Sequence, residues 1–548
     1  MSPGRLLRTV RYLKPVQIYG RLLRQLPERA PPPIAEPVPA QADWPRWAEP
    51  ALRLPAIRPD GRFDVLGESH DIDAVGWDDP SIAKLWRYNL HYFDDLASQG
   101  WEDRRDEHRQ LIKRWIAENG SASGTGWEPY PLSRRIVNWI KWLCAGNAPP
   151  EGMLASLALQ VQWLMRRLEY HLLGNHLFAN GKAIVFAGAF FAGELAAQWR
   201  TRGSNILDAE LDKQMLLDGG HFELSTMYHS LAVEDLLDLV NILEAANDSG
   251  GRRGAALAAC CRAKAAAALD WMLAMRHPDG EIAFFNDAAI GIAPSPDELA
   301  AYARRLSIAP SMPGNPRWLA ETGYIRAERG PSTLFADVAR IGPDYLPGHA
   351  HADTLSFELA LGDERFLVNG GTSVYGTGPE RVRQRGTAAH NTVTIDGQNS
   401  SEVWSGFRVG RRAYPRSVSV SEDADALTIF AAHDGYVWMP GQPLHSRTWL
   451  LDDGGLTVSD EVTSPAGHRA VAAFRFHPNL TLTALDDGAC GRAEAPTGRV
   501  MRWSVLQGSA ELSDTTWHPR FGASEPARQL RVTLAGGSST VRFSWNPA

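Results

Sequence analysis

Residues 154–168 read LASLALQVQWLMRRL, and the apolar positions Leu154, Leu157, Val161, Leu164 and Leu168 recur at spacings of three and four. That period puts them on one stripe of an α-helix. The same texture runs on both sides, with helices expected at 82–97, 103–118, 131–145, 152–172, 177–200, 204–216, 226–246, 254–276 and 296–306. Gly, Pro, Asn and Asp in the short connections imply antiparallel helix hairpins. No fixed-length repeat is visible, so hairpins curling into an α/α toroid (an incomplete helical barrel) fit better than a regular solenoid.

After about residue 325 the period shortens to two. Runs such as Ser417–Ser421, Leu480–Thr483, Leu530–Leu534 and Val541–Trp545 alternate apolar and polar residues, and turn signals such as Asp452-Asp-Gly-Gly and Asp486-Asp-Gly separate them. That pattern predicts an antiparallel β-sandwich. Pro310, Pro313 and Pro316 mark the junction, and Pro31, Pro32, Pro33, Pro37 and Pro39 mark an extended linker near the amino terminus. The expected architecture is a multidomain α+β chain. It comprises a basic N-terminal segment and Pro-rich linker (1–60), an α/α toroid (61–325) and a C-terminal antiparallel β-sandwich (326–548).

The composition bounds the function. With 548 residues, 44% hydrophobic, 22% charged and a net charge of −7, the chain reads as soluble and lacks the broad basic field of a nucleic-acid binder. The four cysteines, Cys144, Cys260, Cys261 and Cys490, form neither a CxxC pair nor a metal-ligand spacing. The first 26 residues interleave basic and apolar side chains without a continuous apolar core, so no secretory signal is expected and the default location is cytoplasmic. The segment reads as an amphipathic helix packed on its own protein, with contact to a membrane surface as the alternative. No run of about eighteen apolar residues predicts a transmembrane span.

Three separated motifs carry candidate chemistry. In Gly348-His349-Ala350-His351-Ala352-Asp353 the two histidines at i and i+2 would point the same way on a strand, and His390 follows downstream. In Gly174-Asn175-His176 the glycine can end one helix and the asparagine cap the next. In the segment 218–229, DGGHFELSTMYH, a Gly-Gly turn and a Ser225 cap put Tyr228 in the first turn of a helix, where the backbone dipole eases a phenolate. His221, Glu223 and His229 of that segment are candidate substrate contacts. So are Trp127, in a loop beside Gly126 and Pro129, and the adjacent Arg134 and Arg135, of which one at most can face a cleft.

The strings GNHLFANGKA, DGGHFELSTMYHSLAVEDLLDL and GHAHADTLSFEL with GTAAHNTV, in this order, resemble the heparinase II/III-like polysaccharide lyases. The resemblance covers most of residues 80–400. It implies a toroid followed by a sandwich, an active cleft between them, and β-elimination on uronic-acid polysaccharides without a catalytic cofactor. Under it, Asn175 would hydrogen-bond the uronate carboxylate with help from His176, and Tyr228 and His349 would transfer protons. It also implies a structural divalent metal, such as zinc, at His351, Asn369 and His390. At the position of Asn369 the family carries an aspartate, and a neutral amide oxygen is a poorer zinc ligand.

The expected partner is an acidic polysaccharide, of glycosaminoglycan type first and alginate or a bacterial exopolysaccharide second. That substrate class argues for a periplasmic or secreted location against the default. A toroid glycoside hydrolase using carboxylates such as Glu223, Glu234 or Asp235 is the competing enzyme. A non-catalytic polysaccharide-assembly protein is the competing binder. Nothing in the sequence fixes an oligomeric state.

Overall fold

The computed structural model describes residues 3–26, 31, 37–58, 60–120, 122–246, 251–311, 314–315, 317–464 and 467–545. Pro32, Pro33, Pro313 and Pro316 lie outside the described residues. The helical region contains Lys84–Leu90, Arg105–Glu118, Pro129–Cys144, Met153–Arg166, Gly174–Phe190, Glu194–Gln214, Thr226–Ala245, Gly251–Ala274 and Pro296–Arg305. One apolar core runs through them, and Leu157, Val161 and Leu164 of the 3–4 stripe are fully enclosed in it. None of these helices is long and apolar enough to cross a membrane.

The expected helix at 177–200 is two helices. Phe191 turns extended (φ −95°, ψ 155°), and the chain reverses before Glu194. The resulting hairpin is closely packed because small residues face each other. A Cβ on Gly188 would lie 2.7 Å from the backbone nitrogen of Arg200. Periodicity could not reveal the break, since both halves keep the same apolar spacing.

The named sheets of the C-terminal region are antiparallel. An eight-stranded sheet runs, in spatial order, Pro415–Glu422, Ala426–His433, Leu444–Asp452, Gly455–Thr463, Ser538–Trp545, Val500–Gln507, Cys490–Glu494 and Thr481–Leu485. A five-stranded sheet (Arg317–Leu319, Tyr324–Arg329, Ser332–Asp337, Phe357–Leu361, Glu364–Leu367) and a four-stranded sheet (Ser509–Trp517, Glu525–Thr533, Ala470–Arg475, Val393–Ile395) share one apolar core with it. Across the large sheet Ile429 pairs with Trp449, Trp449 with Val458 and Val458 with Val541, so the inward ladder is continuous. The strand Ala426–His433 alternates buried and half-buried residues, as a one-sided strand must.

Strands Ser332–Asp337 and Phe357–Leu361 are buried at every position. Their second face belongs to the seam with the toroid. There Phe335, Tyr324 and Leu319 pack against Trp271, Met275, Phe285 and Leu224. This apolar seam fixes the distance between the two domains at the rim of the cleft.

Residues 3–23 of the N-terminal segment form two helices. Helices Pro3–Val10 and Pro15–Leu23 lie across the mouth between the domains. Arg8 donates to Glu402 at 2.8 and 2.7 Å, Trp404 Nε1 donates to Thr9 Oγ1 at 3.1 Å, and Arg24 donates to the carbonyl of Arg167 at 3.1 Å.

Candidate active site

A cleft of about 540 Å³ opens between toroid, sandwich and N-terminal helices. Asn175, His176, Tyr228 and His349 all line it. It adjoins a second cavity of about 740 Å³ through Asn89, Asp94, Met227 and Phe521, which border both. The combined space suits an extended ligand.

Tyr228 is set by its helix start. Ser225 has extended backbone and its Oγ accepts the Tyr228 N–H at 3.1 Å, while the same hydroxyl donates to the carbonyl of Asp287. The cap is where the sequence put it, but the expected easing of the phenolate is overturned. Burial, reinforced by Tyr375 and Asp287, pushes the Tyr228 phenol well above its ordinary pKa. Its hydroxyl lies 3.1 Å from that of Tyr375.

His349 stacks on Tyr228, ring centroids 3.7 Å apart and planes 29° from parallel. The histidine segment is a loop, with the strand starting only at Phe357, so the i, i+2 strand geometry does not hold. A buried carboxylate orients the pair instead. Asp287 accepts from His349 Nδ1 at 2.9 Å and from His351 Nε2 at 2.8 Å, and Arg381 donates to both of its oxygens. Although burial opposes ionisation, Arg381 and the two histidines hold the Asp287 carboxyl well below its ordinary pKa. Asn286, next in the chain, donates to the Leu224 carbonyl at 2.8 Å and accepts the His351 N–H at 2.9 Å. The residues Asn286 and Asp287 thus tie the turn before Tyr228 to the histidine loop.

Asn175 and His176 sit in the first turn of Gly174–Phe190, and the preceding helix already ends at Arg166. Gly174 therefore begins a helix rather than ending one, and Asn175 is not its cap. A Cβ on Gly174 would strike Leu346 and approach Glu223 Oε1 to 2.7 Å, so only glycine fits. Glu223 accepts the Asn175 N–H at 3.4 Å and lies 3.4 Å from His349 Nε2. His176 Nδ1 meets Glu169 Oε1 at 3.2 Å. Burial disfavours its charged form, but the charge and hydrogen bond of Glu169 prevail and raise the His176 pKa.

The other candidate contacts divide. Arg134 borders the cleft, bound to Asp94 at 3.0 Å and near Glu234 and Asp235. Arg135 is fully buried and donates to Gln160 and to the Gly126 carbonyl, so it is structural. Trp127 is not exposed. Its indole donates to the Asn119 carbonyl at 2.7 Å and packs beside Trp115 in the core. His229 is also buried, donating to the Ala268 carbonyl at 2.9 Å and accepting the His221 N–H at 3.1 Å, so it braces the turn instead of meeting substrate. His221 reaches only a crevice of about 20 Å³ beside Tyr228, too small for a sugar. Glu223 is the member of that trio on the main cleft.

The three expected metal donors are engaged with one another or with neighbouring groups. His351 Nδ1 and His390 Nε2 lie 3.2 Å apart, a hydrogen-bond distance. The Asn369 amide is committed, accepting the Asn391 N–H at 3.2 Å and donating to Ser356 Oγ at 3.3 Å. Burial lowers both imidazoles, His351 to about 4. Among the described residues no three His, Cys, Asp or Glu side chains form a metal-holding group. These donors do not make a tight zinc site.

Sequence reasoning missed Asp287, Tyr375, Arg381 and Glu169. Asn286-Asp287 stands out in retrospect as a polar pair directly after the apolar run Ile282–Phe285, a weak signal without the fold.

Comparisons with known proteins agree with this fold. The family model Heparinase II/III N-terminus matches residues 46–302, and Heparinase II/III-like, C-terminal, matches 311–546. Among curated relatives, a heparin-sulfate lyase of Bacteroides stercoris is 31% identical over 124 residues, 22% of this chain and 19% of that protein. One from Pedobacter heparinus is 26% identical over 254 residues, 41% of this chain and 36% of that protein. The matched parts thus span well under half the length of these relatives. A crystal structure of heparinase III superposes with a TM-score of 0.64 at 16% identity, covering 85% of this chain and 77% of that one. The heparan sulfate lyase HepC from Pedobacter heparinus gives 0.55 at 16%, covering 88% and 80%. Both share the fold.

Proposed function

Because the chain belongs to the heparinase II/III-like family, we propose that it is a polysaccharide lyase that cleaves uronic-acid polymers by β-elimination. The observation that carries this reading is the stack of Tyr228 on His349 in a cleft that also presents Asn175 and His176.

Elimination removes the C5 proton of a uronate and breaks the C4–O4 bond. The C5–H electron pair becomes the C4=C5 double bond, and the departing O4 takes the C4–O4 pair and a proton. Negative charge builds on the carboxylate next to C5, so a donor there lowers the barrier. The Asn175 amide, with the raised-pKa imidazole of His176 beside it, suits that task. Tyr228 and His349 suit the two proton transfers, with the order set by the stereochemistry at C5. Tyr375 can share its hydroxyl proton with Tyr228.

Hydrolysis is the weaker reading because the available carboxylates are engaged. Glu234 is paired with Arg53 at 2.5 Å, Asp235 with Lys182 at 2.7 Å, and Glu223 faces His349 and the Asn175 N–H. No pair stands free across the cleft among the described residues.

Glycosaminoglycans are the proposed substrate class, in keeping with the heparin-sulfate lyases among its relatives. Defined glycosaminoglycans, alginates and bacterial exopolysaccharides should be incubated with the protein and with Tyr228→Phe, following the ultraviolet absorbance of the unsaturated uronate. Absorbance from the parent chain alone is the expected result. A rise in reducing ends without that absorbance would overturn it.

A further inference from the structure

The cleft wall contains two arginines that no carboxylate neutralises among the described residues. Arg21 comes from the helix Pro15–Leu23 and Arg408 from the short sandwich strand Arg408–Val409, and both line the cavity that holds Tyr228 and His349. Neither has a carboxylate within ion-pair distance among the described residues. Their neighbours differ: Arg134 is bound to Asp94, and Arg412 to Asp344 at 3.3 Å while lying over the Tyr12 ring.

Both side chains are half-buried, and two like charges in such a wall repel without a counterion. The repulsion registers on Arg408, whose pKa falls through burial and then through the charge of Arg21. The helix that carries Arg21 is held on both sides. Gln17 donates to the Tyr345 carbonyl at 3.1 Å, and Gly20 abuts His171 so closely that a Cβ would sit 2.8 Å from its Cβ. The fold therefore holds the helix of Arg21 against the cleft that Arg408 also lines.

We propose that Arg21 and Arg408 form an anion subsite that pairs with a second acidic group of the polymer, a carboxylate or a sulfate, distinct from the uronate carboxylate at Asn175. Guanidinium forks match either oxyanion. The inference rests on the lyase reading of the same cleft. It assigns the N-terminal helices a share in substrate recognition.

The test is steady-state kinetics of Arg21→Gln and Arg408→Gln on a sulfated glycosaminoglycan and its desulfated counterpart, with folding checked by circular dichroism. Each variant should raise KM by about tenfold to a hundredfold, with a smaller change in kcat and a flatter salt dependence. Loss on both polymers identifies a carboxylate, and loss on the sulfated polymer alone identifies a sulfate. KM unchanged for both variants on both polymers, with the parent chain active, overturns the subsite. No product from the parent chain on any uronate polymer overturns the lyase reading instead. In that case polymer binding by calorimetry decides the subsite, which fails if both variants bind as the parent does.

Discussion

His349 Nδ1 donates to Asp287 Oδ2 at 2.9 Å, and this bond decides which nitrogen of the imidazole can do chemistry. An ionised carboxylate only accepts, so the Nδ1 proton stays in place and Nε2 is left toward Glu223 and the cleft. Arg381 keeps the carboxylate ionised from its other side.

Asp287→Asn is therefore expected to damage both folding and turnover. Arg381 would lose its charge partner in a buried place, costing about 3–5 kcal/mol by denaturant unfolding. His349 could then adopt the other tautomer, and kcat should fall by roughly 10²- to 10⁴-fold. A folded variant with parental kcat would show that the orientation of His349 is immaterial.

Tyr228→Phe should abolish elimination while leaving the melting temperature near that of the parent, because the ring and its stack on His349 remain. Tyr375→Phe removes only the partner hydroxyl 3.1 Å away and should slow turnover less. Single-turnover product formation measures both. Equal losses would mean that the two hydroxyls act as one unit.

The His176–Glu169 pair gives a pH signature. The folded pKa of His176 is raised, so its stabilisation is complete below the ordinary imidazole value and is lost as pH rises through the raised one. Glu169 is lowered: burial opposes this, but His176 outweighs it, so its share is lost only as pH falls through that lowered value. The stability difference between the parent and His176→Gln should be largest near pH ~5.5 and shrink above neutrality. A difference that does not vary with pH in urea unfolding would contradict the ion pair.

Chelation should leave the protein intact. With Asn369 committed to Asn391 and Ser356, dialysis against a strong chelator is expected to change neither the melting temperature nor the turnover. Stoichiometric zinc in the purified protein, together with a drop in melting temperature on chelation, would refute this.

Periodicity alone was enough for the helical and sheet regions, because burying a stripe or a face leaves a spacing of 3.6 or 2 in the chain. Asn175, Tyr228 and His349 were legible through the family's strings, and the cleft brings them together. Trp127, Arg135 and His229 misled because residue type says nothing about which side of a turn or helix faces inward. Asp287 and Tyr375 were hard to read for a different reason. Their partners lie 62 and 147 residues away, and only the seam between domains makes them neighbours.

That seam has a mechanical consequence. Since Asn286 and Asp287 bond to the turn before Tyr228 and to the histidine loop alike, the two halves cannot swing apart like a hinge without tearing the reaction centre. Whatever ligand the cleft takes must enter a gap that these bonds hold.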